Sequence, residues 1–175
     1  MALFSYHWRF LAIHQSAVPA LINFVLNGAI AWWLFRSATF VPFSGPSSIT
    51  GDTLATSFLL PLLSCLVITW LIQRGVEHGE LRPLVIVPEP GWQVWLSQLR
   101  PLRRGVFFGL AGVVLGGGPV CVVFARLGPP ELSFWAFVWF KAAYAALLAA
   151  AVCPFIAWLA LASPSPAKAS SPSSR

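Results

Sequence analysis

The sequence is short of charge. Asp and Glu number 5 and Lys and Arg 11 in 175 residues, so charged side chains make up only 9% of the chain. Soluble domains carry about 25%, and a surface this poor in charge is not solvated by water. A water-soluble globular domain is excluded. Cysteine is scarce as well: Cys65, Cys121 and Cys153 show no C-x-x-C spacing, which supports neither a zinc site nor a disulfide framework. His7, His14 and His78 form no H-x-x-x-H pair, and Asp52 is the one carboxylate near the polar faces described below, so an acid–base pair is missing. The glycine run after Leu115 lacks the Lys-Ser/Thr of a phosphate loop. The expectation is a non-enzyme without cofactor or metal.

What the chain has in quantity is apolar surface, 58% of residues, distributed in long uncharged runs. A helix needs roughly 18 or more such residues to cross about 30 Å of hydrocarbon. Runs of that kind lie between Arg9 and Arg36, Asp52 and Arg74, Arg104 and Arg126, and Lys141 and Lys168. Trimmed at turn residues, they predict spans near 17–35, 53–73, 105–125 and 133–162, the last with Ala142 as an alternative start. None alternates as a spanning strand would. The expected fold is all-α: one polytopic four-helix membrane domain over residues 1–162, two antiparallel hairpins, a cytoplasmic loop at 74–104 and a disordered Ser/Pro-rich tail at 163–175. The first run is longer than a typical signal-peptide core and no A-x-A-like site follows it, so it reads as a retained helix.

Positive charge sets the expected orientation. Arg74, Arg82, Arg100, Arg103 and Arg104 lie between the second and third spans, and Arg9, Lys168 and Arg175 fall on the same side when the span count is even. Arg36 and Arg126 mark the other side, so both termini are placed in the cytoplasm. Trp32, Trp33, Trp135 and Trp139 then occupy the outer interface and Trp70 and Trp158 the inner one, where amphipathic rings are favoured. The net charge of +6 is accordingly topogenic and attracts anionic lipid headgroups; no aqueous domain is large enough to carry a nucleic-acid surface. The hairpins, with LLP and AVCP in their returning helices, are similar in type to small bacterial inner-membrane proteins, which implies a multi-pass placement in that membrane.

The loops differ in content. Residues 37–51 (SATFVPFSGPSSITG) are expected to be irregular, and residues 126–131 (RLGPPE) are short enough to force the last two spans antiparallel. In the cytoplasmic loop Trp92, Trp95, Leu96 and Leu99 recur at helical spacing before Pro101, predicting a short interfacial helix with Arg100, Arg103 and Arg104 on lipid phosphates, or a docking surface for a partner. A faint twofold pattern relates the halves, each outgoing helix ending in Phe35-Arg36 or Phe124-Ala125-Arg126 and each returning helix carrying Pro61 or Pro154; chance likeness between apolar hairpins is the simpler account of it.

Polar residues inside the spans are the functional candidates, because the bilayer penalises them. Asn23 and Asn27 share one face of the first span, and Thr53, Ser57 and Ser64 share a face of the second, with Thr56 beside them and Asp52 at the mouth. The two faces are expected to meet, as interhelical glue or as a polar pathway. Lys141 decides between these. Residues 142–162 suffice to span, which favours a lysine snorkelling to the outer boundary; the alternative is a lysine that faces the bundle and pairs with Asp52 or contacts Asn27. In the third span Gly105 and Gly109, then Gly112 and Gly116, form G-x-x-x-G pairs that suit close packing within one chain or a homo-oligomer interface, and Gly116, Gly117, Gly118 and Pro119 are expected to weaken or kink the helix. The functional expectation is a permease-like or channel-like module whose pathway runs through Asn23, Asn27, Asp52, Thr56, Ser57 and Lys141. The competing one is a structural or assembly protein acting through helix packing and its cytoplasmic loop.

Overall fold

In the computed structural model the described residues are 16–78 and 91–162, and four of their helices are long and apolar enough to cross a membrane. Helix α1 runs Val18–Phe35, strand β1 Phe40–Pro42, α2 Ile49–Glu77, α3 Gly91–Gln98, α4 Pro101–Gly112, a π-helical turn Val113–Gly117, α5 Gly118–Leu127, strand β2 Glu131–Ser133 and α6 Phe134–Ala162. Helices α4 and α5 with the π turn make one continuous third span, Pro101–Leu127. The expected tail at 163–175, His7, His14, Arg9 and Arg82 lie outside the described residues.

Local chemistry explains where these helices start. Ser48 caps α2, its hydroxyl accepting from the Gly51 N–H at 3.2 Å, and Asp52 in the first turn complements the positive end of the helix dipole. Prolines stand in the first turns of α1 and α4, where a missing N–H costs nothing. The third span does not break at its glycines. Gly112, Gly117 and Gly118 keep right-handed helical angles, and before Pro119 the helix widens into a π turn in which the Gly118 N–H donates to the Val113 carbonyl. The expected weak point is therefore a change of helical pitch, not an unwound segment.

Packing does not follow chain order. Helix α1 lies along α6, α2 lies between α6 and the third span, and α1 and α2 barely touch. Phe35 meets Phe137 and Gly28 faces Ala142, so α1 and α6 run in opposite directions. Gly105 packs on Leu62 and Gly109 on Phe58, so the third span runs opposite to α2. This corrects the expectation that the polar faces of the first two spans meet: α6, rich in small residues such as Ala142, Ala145 and Ala149, is the element narrow enough to sit between them.

One end of the bundle is stitched by backbone pairing. Strands β1 and β2 are antiparallel with Phe40 opposite Ser133, Val41 opposite Leu132 and Pro42 opposite Glu131. The Phe43 N–H donates to the Pro130 carbonyl at 2.8 Å and the Phe134 N–H to the Thr39 carbonyl at 3.0 Å. The loop expected to be irregular is thus partly strand, because two loops meeting at one end satisfy each other's peptide groups. Beneath it Ala31, Phe35, Val41, Ile49, Phe137 and Val138 form a closed apolar core. Trp32, Trp33, Trp135 and Trp139 stay exposed near this strand end, as Trp70 does toward the other end. Large exposed apolar side chains such as Leu115 and Leu147 cover the flanks, a surface that suits hydrocarbon and not water.

Candidate functional site: a buried ion pair and its hydroxyl neighbours

One turn below that core, α2 and α6 bring two charges together. The Lys141 ammonium donates to the Asp52 carboxylate, with the lysine side chain 5% and the aspartate 15% exposed. Lys141 does not snorkel. Seven residues of α6 precede it, and those first two turns, roughly, carry the core under the strands, which leaves the side chain pointing across to α2. An unpaired charge at such depth costs several kcal/mol, so the partners hold each other in the interior.

A second polar pair follows one turn deeper. The Ser57 and Tyr144 hydroxyls are 2.6 Å apart, and Ser57 also donates to the Thr53 carbonyl at 2.6 Å. Thr53, Thr56 and Ser57 are buried on the α2 face that carries Asp52. The strand-end half of the α2/α6 interface is therefore polar, and below it Leu60, Ala145, Ala149 and Cys153 close the interface with small apolar contacts.

The asparagines of α1 do not join this cluster. The Asn23 amide donates to the Pro19 carbonyl at 2.9 Å and the Asn27 amide to the Asn23 carbonyl at 3.0 Å, so each is satisfied by its own helix. Asn27 stands beside Gly28, which faces Ala142, so it shares a depth with Lys141, but its amide bonds to Asn23 and the lysine to Asp52. Of the six residues expected to line one pathway, Asp52, Thr56, Ser57 and Lys141 come together and Asn23 and Asn27 stay apart.

The glycines of the third span pack inside the chain. A methyl added at Gly109 would lie 2.8 Å from the Phe58 carbonyl and one at Gly105 3.1 Å from the Leu62 carbonyl; at Gly112 it would overlap the Ser57 carbonyl. Gly116 faces Tyr144 and Leu148 of α6. Backbone approach this close is possible only without a Cβ.

At the opposite end Arg104 departs from expectation. It is 2% exposed, not spread on headgroups, and its guanidinium donates to the Leu99 carbonyl at 3.3 Å. Arg100 and Arg103 are exposed. The helical phase explains the split: Arg104 and Gly105 lie on the α4 face turned to the bundle, and Arg103 lies one residue round to the outside. Helix α3 forms at the predicted place. Its Leu96 is buried with Cys65, Phe108, Ile156 and Leu159, whereas Trp95 stays exposed and meets Phe107 edge-on at 6.1 Å. The Trp92 side chain lies outside what is described.

Tyr144 is the site residue that sequence reasoning passed over. One of two tyrosines in the chain, it stands three positions after Lys141 and therefore on the same helical face, a signal available from spacing alone. Arg104 was obscured because flanking arginines read as topogenic. The chain matches no protein family, no curated protein and no solved structure.

Proposed function

We propose that this chain is a small permease-like module in which the α2/α6 interface is the pathway and the Lys141–Asp52 pair its closed gate. The buried pair is the observation that supports the reading: ionisable groups inside a membrane domain are costly, and ion and solute pathways are among the sites they mark. The Ser57 and Tyr144 hydroxyls continue the polar lining inward, and the core under the strands shuts it toward the strand end. In the same reading the four spans form two antiparallel hairpins with both termini in the cytoplasm of a bacterial inner membrane. The strand end then faces outward, and Arg100 and Arg103 contact anionic headgroups.

The test is flux in proteoliposomes of defined lipid, reading protons with a trapped pH dye and chloride and potassium with electrodes. Wild-type protein is expected to raise one of these rates above empty liposomes, and Lys141→Ala to change it by about tenfold or more, the effect of roughly 1.4 kcal/mol. Rates equal to those of empty liposomes would refute transport.

A second reading, a non-catalytic assembly protein, has its own supporting observation. Only 11% of the apolar window of α1 is buried, against 44% for α6, and its asparagines are bonded internally, so α1 offers a free flank to another membrane protein or a second copy of this chain. Copurifying partners lost on replacing the exposed α1 residues Leu21 and Leu26 with Ala, with liposome flux absent, would decide for it.

A further inference from the structure

The cross-packing has an internal symmetry. Gly28 and Gly117, Phe35 and Phe124, and Asp52 and Lys141 are all 89 positions apart. Gly28 faces α6 at Ala142, and Gly117 faces α2 at Leu54 and Ser57, so each hairpin sends its outgoing helix onto the returning helix of the other. Helices α2 and α6 lie side by side in the same direction, as the successive pairs Asp52 with Lys141 and Ser57 with Tyr144 require. Strands β1 and β2, which follow the outgoing helices, pair antiparallel about Val41 and Leu132, 91 positions apart. All of this is what a twofold axis along the bundle produces, with the ion pair and the strand pair on the axis. The faint repeat in the sequence is thus expressed in three dimensions.

The interfaces differ in kind. Between α2 and the third span the backbones touch through glycine, and between α1 and α6 Gly28 and the fully buried Ala31 make a close apolar contact. Such contacts lose their dispersion energy outright when opened. Between α2 and α6 the strand-end half is an ion pair and a hydroxyl pair, groups that can exchange protein partners for water, whereas the remainder is apolar contact of Leu60 with Ala145, Ala149 and Cys153. The third span reaches α6 through side chains, Gly116 facing Tyr144 and Leu148, Phe108 on Phe155 at 5.8 Å and Phe124 on Phe140 at 5.2 Å, and side chains follow a small displacement by rotating.

We infer that the bundle moves as two cross-packed bodies, α1 with α6 and α2 with the third span, and that the polar seam between α2 and α6 is where they part. The moving units are not the hairpins of the chain. This goes beyond the permease-like reading, because the seam parts whether or not a solute crosses.

Spin-label distances in the full-length protein in liposomes test it without any flux measurement. Labels go on exposed positions, with Cys65, Cys121 and Cys153 replaced by Ala. Val25→Cys with Leu147→Cys reports the first body, Leu63→Cys with Leu110→Cys the second, and Leu63→Cys with Leu147→Cys the seam. The two within-body pairs are expected to give single narrow distances. The seam pair is expected to show a second population, which grows when Lys141→Met removes the ion pair. A seam distance as narrow as the others before and after Lys141→Met overturns the inference, and so does a within-body pair that broadens as much as the seam.

Discussion

Lys141 and Arg104 are two cations withdrawn into one bundle at opposite ends, and they are satisfied differently. Lys141 meets a carboxylate on another span, whereas Arg104 reaches back to a backbone carbonyl five residues earlier in the chain. The first contact joins two helices that are far apart in sequence; the second pins the start of the third span to the turn after α3. A cation's role thus depends on which partner it finds and not on how deep it lies. Lys141 ties the seam together, and Arg104 anchors an end.

Substitution should break this contrast most strongly at the seam. Lys141→Ala leaves the Asp52 carboxylate buried without its ammonium and is expected to cost about 3–5 kcal/mol, read as a loss of resistance to denaturing detergent. Replacing both partners, Lys141→Met with Asp52→Leu, should recover most of that, since the uncompensated charge is gone. A double variant as weak as Lys141→Ala would show that the pair is not what Lys141 supplies.

At the other end the expected cost is smaller. Arg104→Leu removes a charged hydrogen bond to the Leu99 carbonyl, worth about 1.5–3 kcal/mol, and the local effect is faster amide exchange around Leu99 and α3. A change centred on α2 and α6 instead would make Arg104 a seam residue and erase the contrast. Tyr144→Phe sharpens the seam side: it removes the hydroxyl bonded to Ser57 and should cost about 0.6 kcal/mol, up to ~1.7, in the same detergent assay. The smallest effect is expected outside both regions. Asn27→Leu loses only a bond within its own helix and should fall within about 0.5 kcal/mol of wild type. A larger loss there would place α1 in the polar cluster after all.

Much of the helical layout was legible before the structure. The uncharged runs mark the four apolar helices, whose starts, expected near 17, 53, 105 and 133, fall at Val18, Ile49, Pro101 and Phe134. The face carrying Thr53 and Ser57, with Asp52 at its mouth, was legible too, because residues four apart on a helix align whatever the surroundings. The partner of that face was not. Asn23 and Asn27 have the same polar spacing and look equally suited to it, yet an asparagine in a helix finds its own carbonyls within reach, and sequence does not distinguish that from a bond to a neighbour. The depth of Lys141 was misread from length alone. A 29-residue helix has room for the lysine in the interface, and only the strand pair and the core beneath it set α6 so that the ammonium meets Asp52.

By itself, then, the sequence determined how many helices are apolar and long enough to cross a membrane, where they begin, and which residues share a face, because hydrophobic length and helical period are local properties of the chain. Only the tertiary structure decided which helices touch. Helices α1 and α6 are both apolar over most of their surface, and hydrocarbon and protein interior are equally good solvents for such surfaces, so hydrophobicity offers no means of telling a central helix from a peripheral one. Small residues and the two polar pairs made that choice, placing α6 at the centre with Lys141 against Asp52 and leaving α1 at the rim.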